Sequence, residues 1–516
     1  MTTTHPQPAR LIAQISALAL ALIALTTMPR IGSIVRQIAV LLRSPFPNDA
    51  LEGTLLYEAG LVRAGQALYQ PLQPDRFVSA PYPPLHAAAV ALTMTLPGPG
   101  VFWGGRLVSA AGMLVIAGCI LAIVALVGRA WPAGLIGATL FAGSGPAMLW
   151  ATRIKPDMLA IGLAMLGLGC VVMAAQREQR AGQRAWLLAS GVACFTLAWF
   201  TRQTTVVAAI ASAVGLALND ALAYRSGQHA ALARVGGRTL PLRADTMAFL
   251  VALAVCNLGG WALADLITAG QYSAHVWGLH QSEWWSLYLV GKYARLLAPF
   301  WPALLLVIPL IYQARSDPAA RVLCCYVVLA PFTLLGAAEI SANHNHLLES
   351  HVAIGLATGM GASWAIRVAP RPGWLPAGII ALALVVMQLL LTTRPQAYYM
   401  GELRPHDTPE RFVHYIRNTP GEILADDVGL LIAGGKPVRY DDPSTMGPAA
   451  RWGIWDQRGL LQEIAEKRFS AILLADDVNE NPYDGVGRWT REMRAAIRDN
   501  YQLKFRDRIR VYVPKD

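Results

Sequence analysis

The sequence predicts an α-helical polytopic membrane protein that carries a small C-terminal α/β domain. Of its 516 residues, 55% are hydrophobic and only 15% are charged, which is too apolar for a soluble chain of this length. Several apolar runs reach the roughly 20 residues that a helix needs to cross a bilayer. The composition near the C-terminus is instead that of a soluble protein. The predicted domains are therefore a membrane module, residues 1–392, and a soluble module, residues 393–516.

The membrane module is predicted to contain about eleven spanning helices, each identified as a long apolar run. A shorter apolar stretch, residues 85–96, cannot span the hydrocarbon core and is interpreted as an interfacial or re-entrant helix. It lies in the first outer loop, residues 28–103. The predicted spans are residues 11–27, 104–127, 131–150, 158–175, 185–201, 204–219, 246–267, 297–313, 319–335, 347–366 and 374–391.

The positive charge is distributed as membrane topology requires. The net charge is +11, and the arginines lie mainly in short loops between apolar runs, which follows the positive-inside rule and excludes a nucleic-acid-binding face. With a cytoplasmic N-terminus, an odd number of spans places the C-terminal domain outside. We therefore expect a multi-pass protein of the inner (cytoplasmic) membrane with an extracytoplasmic or periplasmic C-terminal domain. The loops of Asp49, Asp157, Arg202 and Asn343 fall on the same outer side.

The soluble module alternates short apolar strands with amphipathic helices. Strands are predicted at residues 422–425 and 471–475, helices at residues 460–467 and 488–500, and a terminal hairpin at residues 503–513. This alternation predicts a small α/β domain.

Two acids follow the first apolar run. Asp49 and Glu52 are three residues apart, so on a short helix both side chains would point the same way and bind one group together. Low dielectric and a neighbouring acid raise the pKa of a carboxylate, which suits a base for an acceptor hydroxyl. The structural alternative is a solvated acid at the start of a helix. Tyr82, Pro83 and Pro84 form a rigid extended segment, which we expect to position the loop of Asp49.

A third acid, Asp157, opens a predicted helix, where the helix dipole favours a negative charge. Arg153 and Lys155 lie beside it in the sequence and can hold an anionic substrate group. N-terminal capping is the structural alternative, and both interpretations stay open at this point.

Arg202 and Gln203 interrupt an apolar region of the chain. An ionisable residue at such a depth costs roughly 2.5 to 3.5 kcal/mol unless it is solvated or paired. A lipid phosphate suits Arg202, because a guanidinium presents a fork of donors to phosphate oxygens. The alternative is a turn between two spans with a snorkelling arginine.

The densest polar cluster lies at the entrance of a late helix. It consists of Asn343, His344, Asn345, His346 and Glu349. The two histidines are two residues apart, which suits a strand better than a helix, and the H-x-x-x-H spacing of a zinc site is absent. All six cysteines lie in or beside apolar runs, so they predict neither disulfides nor a thiolate metal site. We favour hydrogen bonds to a sugar or phosphate over a metal; the alternative is a pairing of Glu349 with His351 inside the bundle.

Several short motifs occur between residues 47 and 350 in an order that is typical of one enzyme superfamily. The motifs are Asp49-x-x-Glu52-Gly53 with Tyr57, Gly65-x-x-Leu68-Tyr69, Tyr82-x-Pro84-Leu85, Gly105-Arg106-Leu107, Lys155-Pro156-Asp157, Arg202-Gln203 and Asn343-x-Asn345-x-Leu347-x-Glu349. Together they resemble the polytopic GT-C glycosyltransferases. Within these enzymes, the chain is most similar to the protein-mannosyltransferase and aminoarabinose-transferase group, which is glycosyltransferase family 39-like.

The resemblance implies an inverting transfer of a sugar from a polyprenyl-phosphate donor to a glycan, lipid or protein acceptor at the outer face of the membrane. Asp49 matches the first-loop catalytic aspartate of the family, the expected general base, and Asp157 matches its second-loop acid. Glu52 is expected to orient sugar hydroxyls or to tune Asp49. The implied partners are the donor, membrane lipids and an acceptor. The expected substrate-binding residues are Arg202, Gln203, Lys155, Tyr82, Asn343, His344, Asn345, His346 and Glu349.

The chain departs from the family pattern in two places. No Asp-x-Asp motif stands at Asp157, and Asp49 lacks an adjacent glutamate. No metal ligands and no certain cofactor are therefore predicted, since a divalent cation has no clear motif.

Two functions of other classes also suit a polytopic protein. A transporter or flippase for a lipid-linked glycan predicts inverted repeats and acids near mid-membrane, and the sequence shows neither. A non-catalytic scaffold with an external binding domain predicts that loss of charge at Asp49, Asp157 or Arg202 is tolerated. Among enzymes, an oligosaccharide ligase with a pyrophosphate-linked donor would share the topology.

Overall fold

The computed structural model describes residues 7–176, 180–227, 232–235, 238–280, 286–339, 343–371, 373–392, 409–479 and 488–516. Up to residue 392 the described chain is almost entirely helical. Several helices carry a proline in their first turn, as α8 and α16 do, where a missing N–H removes no helical hydrogen bond. The helices are α1 (Gln7–Thr26), α2 (Met28–Leu42), α3 (Leu51–Arg63), α4 (Pro84–Thr93), α5 (Trp103–Gly128), α6 (Trp131–Ala142), α7 (Gly145–Ala151), α8 (Pro156–Ala174), α9 (Ala181–Thr201), α10 (Val207–Arg225), α11 (Ala244–Ala254), α12 (Gly260–Ile267), α13 (Gln271–Val276), α14 (Leu287–Leu296), α15 (Trp301–Ala314), α16 (Pro318–Leu329), α17 (Leu348–Val368) and α18 (Leu375–Leu391).

Short irregular elements connect these helices. A two-stranded hairpin, β1 (Leu232–Val235) and β2 (Arg238–Arg243), precedes α11. A π-helical turn, Val255–Gly259, joins α11 to α12, and a 3-10 segment, Ala330–Ala338, extends α16.

The core of the membrane module is formed by α5, α6, α8 and α17, which bury apolar side chains against one another. Small residues allow two of these helices to approach closely, because a Cβ on Gly355 would lie 2.8 Å from the carbonyl oxygen of Gly137. Large apolar side chains such as Leu114, Ile308 and Leu390 are exposed on the outside of the bundle. An apolar exterior around an apolar core is the arrangement expected of a protein surrounded by lipid.

Every predicted span is helical in the structure, but the predicted number of spans is not confirmed. Within the described residues, seven helices are long and apolar enough to cross a membrane, and two bent pairs raise the number to nine. The predicted span at 374–391 corresponds to α18, which has only 17 residues. The short apolar stretch predicted at 85–96 forms α4, Pro84–Thr93, which is also too short to span.

The first helix extends further than the sequence predicted. A turn at Thr27 leads directly into α2, and the apolar helix reaches Leu42, although we expected the loop to begin at residue 28. Pro29 and Arg30 interrupt the apolar run, but the proline sits in the first turn of α2. The Arg30 guanidinium donates to the Leu389 carbonyl at 3.0 Å, so its charge does not end the helix. The first loop, residues 43–102, is therefore shorter than expected.

The predicted span at 131–150 is bent rather than straight. Helices α6 and α7 meet at an angle of 70°. The Ser144 hydroxyl accepts a hydrogen bond from the Ala147 amide and caps α7. This short helix leads into the segment from Arg153 to Lys155, directly before α8.

The C-terminal region, residues 409–516, is a small α/β unit, as predicted. Its four-stranded sheet has the order β3-β4-β6-β5, with β3 and β4 parallel and the other pairs antiparallel. Alternate residues of β4 enter apolar clusters on opposite faces of the sheet. The predicted strands, helices and terminal hairpin are confirmed. The elements are α19 (Pro409–Asn418), β3 (Glu422–Ala425), α20 (Val428–Ala433), α21 (Pro443–Arg451), α22 (Arg458–Ala465), β4 (Phe469–Leu474), α23 (Arg491–Asn500), β5 (Tyr501–Arg506) and β6 (Arg510–Pro514).

The C-terminal region packs directly on the first loop. Gly53 of α3 lies against the start of α20, where a Cβ on Gly53 would stand 2.5 Å from the Cα of Gly429. The Thr54 hydroxyl donates to the Asp441 carbonyl at 2.5 Å. Phe77 adds backbone pairing, since its carbonyl accepts from the Asp441 amide at 3.1 Å. These contacts place α20 beside the motif that begins at Asp49.

Three acids are buried in this same contact. Glu58, Asp441 and Asp442 are 2%, 0% and 4% exposed. Glu58 accepts from the Ala80 amide at 2.9 Å, and Asp441 accepts from the Ser79 amide at 2.9 Å. Burial first, and then the neighbouring acids, raise the pKa of both Glu58 and Asp441 above the ordinary carboxyl range. We call Glu58, Asp441 and Asp442 the interface acids.

Substitution of Gly53 by alanine is expected to loosen the C-terminal region. The added methyl meets backbone atoms that cannot rotate away, and such overpacking costs about 1 to 3 kcal/mol. Thermal unfolding in detergent and limited proteolysis of the C-terminal region measure the change. Gly60→Ala in the same helix is the matched control, because a Cβ there meets no atom within 4 Å. Equal behaviour of the two variants would contradict the proposed constraint.

The docking of the C-terminal region is expected to weaken as pH rises. Because Glu58 and Asp441 have raised pKa values when folded, the folded state binds more protons than the unfolded state above the ordinary carboxyl range. The contribution of these two acids to stability is therefore greatest at low pH and is lost as pH rises through their folded pKa values. Glu58→Gln, which keeps an oxygen for Ala80, should flatten the pH dependence of the unfolding temperature. Glu410→Gln, at an exposed acid of the same region, should leave it unchanged.

Candidate active site

The first part of the candidate site is built around Glu52, which is fully buried at the start of α3. The Arg106 guanidinium donates to both carboxylate oxygens, from Nε at 2.9 Å and from Nη2 at 2.7 Å. The backbone amides of Asn48 and Ile154 donate to the same carboxylate at 2.6 and 2.9 Å. The Glu52 carboxylate therefore accepts four hydrogen bonds, all from groups of the protein.

Arg106 uses its remaining donors on the backbone at the end of α2. Its Nη atoms donate to the carbonyls of Ser44 and Phe46, both at 2.6 Å, and to that of Leu41 at 3.3 Å. Both members of the ion pair are fully inaccessible to solvent. The pair therefore ties together the end of α2, the start of α3 and the chain before α8.

Asp49 lies on the other side of this turn and has different partners from Glu52. Lys155 Nζ stands 2.7 Å from one carboxylate oxygen, and Arg153 Nη1 stands 3.2 Å from the other. Burial alone would raise the pKa of Asp49, but these two cations outweigh it and hold the pKa well below its ordinary value. Asp49 and Glu52 therefore have separate cationic partners in the structure.

The two cations are fixed by their surroundings. The Ser109 hydroxyl of α5 donates to the Lys155 carbonyl at 3.1 Å. The Arg153 guanidinium lies over the Trp150 ring, 5.7 Å from its centroid, an arrangement that stabilises a cation on an aromatic face. The side-chain amide of Asn48 donates to the Thr152 carbonyl at 3.0 Å, which links this segment to the first loop.

The second part of the candidate site is the ion pair between Asp157 and Arg202. Asp157 occupies the first turn of α8, and Arg202 follows the last residue of α9. Their side chains are 3% and 13% exposed. With its amide oxygen turned toward Arg202, Asn345 accepts from the guanidinium at 2.6 and 3.2 Å. The two parts of the site are adjacent, because Lys155 and Asp157 are separated by one residue.

Arg202 also lines a cavity of about 300 Å³. His346 and Glu349 stand on its wall, and Tyr326 donates to Glu349 at 2.5 Å. Burial and then the charge of Arg202 lower the pKa of His346 to about 4, so its imidazole is neutral at ordinary pH. The cavity therefore presents the guanidinium of Arg202 together with the carboxyl group of Glu349 and the neutral imidazole of His346.

The remaining predicted residues lie around this arrangement. Gln203 donates to the carbonyls of Pro81 and Val276 at 3.3 and 3.1 Å, so its amide nitrogen holds backbone segments together. Burial raises the pKa of Tyr82 to about 12 against the opposing charge of Arg202, so this phenol remains a neutral donor.

Two members of the predicted polar cluster point elsewhere. The Asn343 side chain is exposed and accepts from the His344 amide at 2.8 Å. The His344 ring lies edge-on to Tyr293, with centroids 5.4 Å apart. Among the described residues, no group of three or more His, Cys, Asp or Glu side chains is placed to hold a metal ion.

The structure adds one acid that the sequence analysis missed. Asp427 precedes α20, and its carboxylate accepts from the Gly429 amide at 2.9 Å. Burial first, and then the charges of Asp49 and Glu52, raise the pKa of Asp427 to about 7. A pair of acids after strand β3, Asp426 and Asp427, was the available signal, but nothing in the sequence links it to Asp49.

Loss of the Glu52 charge is expected to destabilise the whole site. Glu52→Gln leaves the Arg106 guanidinium buried without a counter-charge, and breaking a buried pair in this way costs about 3 to 5 kcal/mol. Thermal unfolding in detergent should therefore show a large downward shift. Asp456→Asn removes the acid of an exposed pair with Arg458 and should leave the midpoint unchanged. A midpoint for Glu52→Gln close to wild type would contradict a structural role of the pair.

No family model matches the sequence, and no curated protein matches it. Solved structures do resemble the chain over nearly its full length. ArnT from Cupriavidus metallidurans bound to undecaprenyl phosphate is 13% identical and gives a TM-score of 0.59, covering 94% of this chain and 97% of that one. The oligosaccharyltransferase AglB from Archaeoglobus fulgidus, in complex with an inhibitory peptide and a dolichol-phosphate, is 10% identical with a TM-score of 0.54, covering 95% and 75%. Both are GT-C membrane glycosyltransferases, so the predicted resemblance is confirmed at the level of the fold: this chain has the GT-C fold.

Proposed function

We propose that this protein is a membrane glycosyltransferase that transfers a sugar from a polyprenyl-phosphate donor to an acceptor hydroxyl at the outer face of the cytoplasmic membrane. The observation that carries the proposal is the group of three cations Arg153, Lys155 and Arg202. Each is largely buried at the end of an apolar helix bundle and meets a carboxylate, Asp49 or Asp157. The neighbours ArnT and AglB, bound to undecaprenyl phosphate and dolichol-phosphate, support a lipid-linked donor.

In the proposed mechanism, the cations stabilise the leaving group. Arg202 faces the cavity and presents a planar fork to phosphate oxygens. Lys155, two residues before the Asp157 that pairs with Arg202, supplies a second positive charge. When the bond between the sugar C1 and the phosphate oxygen breaks, negative charge develops on the polyprenyl phosphate. Fixed cations in a site that excludes water stabilise this charge without reorganising. The acceptor oxygen attacks C1 from the opposite face, which inverts its configuration.

The predicted catalytic acids take different roles in this proposal. Glu52 and Asp157 are positioning residues, because each is committed to an arginine. Asp49 orients Lys155 and Arg153 toward the donor. The charges that lower the pKa of Asp49 also make it a weak proton acceptor, because a good general base needs a pKa near the working pH.

A direct assay separates this proposal from its alternatives. The purified protein, in lipid nanodiscs, receives a polyprenyl-phosphate sugar labelled in the sugar together with a membrane extract that contains acceptors. Release of free polyprenyl phosphate with transfer of the label supports the transferase. Movement of intact donor across a reconstituted vesicle without cleavage would instead indicate a transporter. Failure to bind the donor would indicate a scaffold.

Arg202 is expected to carry a large part of the affinity for the phosphate. Arg202→Gln should weaken binding of polyprenyl phosphate about 10-fold to 100-fold, since hydrogen bonds to charged groups contribute about 1.5 to 3 kcal/mol. Arg202→Lys keeps the charge beside Asp157 but loses the fork, so its affinity should fall between the two. Titration followed by native mass spectrometry measures all three. Arg315→Gln changes an exposed arginine and serves as control; equal affinities for all variants would contradict this assignment.

A further inference from the structure

Three arginines converge at the end of the helix bundle that lies opposite the candidate active site. Helices α5 and α17 both begin near that site, where they carry Arg106 and Glu349. They have 26 and 21 residues, so both end about 30 to 40 Å away. Arg129 follows the last residue of α5, Arg367 lies in the last turn of α17, and Arg371 lies in the turn after α17. We call Arg129, Arg367 and Arg371 the distal arginines.

Direct contacts hold the ends of these two helices together. The Ser363 hydroxyl donates to the Gly128 carbonyl, and a Cβ on Gly128 would stand 2.9 Å from Cβ of Ser363. Arg367 Nε donates to the Ser363 carbonyl at 3.4 Å. The residue directly before Arg129 therefore contacts the residue that holds Arg367, so the two arginines start from adjacent positions.

The Arg367 side chain is half-buried, and part of it is unused. Among the described residues, no group accepts a hydrogen bond from its buried Nη2 atom. The charges of Arg129 and Arg371 act on it unfavourably. Asp317 acts in the opposite direction, but its carboxylate accepts from two amides at the start of α16. A buried donor without a partner is costly, so an anionic acceptor from outside the protein suits this place.

The backbone at Arg129 adopts a conformation that favours another residue type. Its φ is +59°, in the left-handed region where a Cβ is crowded. Helices that end in this way usually have glycine or asparagine there. Arg129 therefore presents its guanidinium beside Arg367 at a conformational cost, and such strain is typical of functional positions.

An apolar, aromatic surface lies next to the distal arginines. The Trp364 and Trp374 rings meet edge to face, with centroids 6.0 Å apart. Trp131, two residues beyond Arg129, is 65% exposed. From Trp374 the chain enters α18, whose Ile379 is exposed on the outside of the bundle. Because tryptophan is typical of the membrane interface, the arginines stand at headgroup level beside a surface for acyl chains.

We propose that the distal arginines bind the phosphate of an anionic phospholipid in the leaflet opposite the candidate active site. Guanidinium forks match phosphate oxygens, and basic pockets between membrane helices bind anionic headgroups. The positive-inside rule requires only exposed arginines, so it does not account for a half-buried guanidinium with an unused donor. A free phosphate ion would leave the apolar surface unused. The bound lipid joins the ends of α5 and α17, and this inference is independent of the proposed transferase function.

The test measures lipid binding to the delipidated full chain in detergent by native mass spectrometry, together with the thermal unfolding midpoint. The probes are phosphatidylglycerol, phosphatidylcholine and inorganic phosphate. Arg367→Gln removes the guanidinium with the unused donor. Arg129→Gly removes a charge at a backbone position that glycine favours, so it should not impair folding. Arg225→Gln changes an exposed arginine at the end of α10, on the same side of the bundle, and is the matched control.

Wild type is expected to bind phosphatidylglycerol at least about 10-fold more tightly than phosphatidylcholine, and phosphatidylglycerol should raise its unfolding midpoint. Arg367→Gln and Arg129→Gly should each weaken binding of phosphatidylglycerol about 10-fold to 100-fold, the usual effect of losing hydrogen bonds to a charged group. Both should also lose most of the rise in midpoint. Arg225→Gln should behave as wild type.

The assignment is overturned if Arg367→Gln and Arg129→Gly keep the wild-type affinity, or if Arg225→Gln weakens binding as much, since net charge alone would then explain it. Equal affinity of wild type for the two phospholipids also overturns it. If inorganic phosphate raises the midpoint as much as phosphatidylglycerol and competes with it, the distal arginines form a site for a free anion and the lipid assignment fails. None of these outcomes bears on sugar transfer.

Discussion

The candidate site depends on the burial of Glu52 beside Arg106. Neither charge reaches solvent, and an isolated ion could not be kept in so apolar a place. The pair is tolerated because every strong donor and acceptor on it is used: the guanidinium meets the carboxylate at two points and then three carbonyls, and the carboxylate accepts two further amides. One interaction therefore fixes the end of α2, the start of α3 and the segment before α8, and with them Asp49 and Lys155.

Charge compensation divides the acids into two groups with different chemistry. Glu52, Asp49 and Asp157 each form an ion pair with a lysine or an arginine. For Asp49, these cations hold the pKa well below its ordinary value. Glu58, Asp441 and Asp427 form no such ion pair among the described residues, and burial raises the pKa of each. All members of the second group lie where the C-terminal region packs on the first loop.

Helices and strands could be predicted from the sequence, because each depends on a short stretch of chain. All predicted spans are helical, and the strands at 422–425 and 469–474 were found, because hydropathy and its period are local properties. It also singled out Asp157 and Arg202, since charges in apolar surroundings are conspicuous. The sequence analysis missed the bend between α6 and α7. It also missed the continuation of the first helix to Leu42, because Pro29 and Arg30 interrupt the apolar run without ending the helix.

Contacts between distant segments were beyond the reach of the sequence. Asp49 and Glu52 look equivalent by spacing, and only the position of Arg106, on a later helix, gives them different partners. The approach of α20 to α3 joins segments from opposite ends of the chain. It depends on two glycines that are unremarkable in themselves, Gly53 and Gly429. Asp427 could not be connected to Asp49 without that contact.

The docking of the C-terminal region on the first loop is coupled to the protonation of two buried acids. Docking requires Glu58 and Asp441 to be neutral, because two such charges at 2% and 0% exposure would repel each other across the interface. As pH rises and these two acids lose their protons, the contact that holds α20 beside the turn of Asp49 is weakened, so the position of the C-terminal region over the candidate site depends on pH.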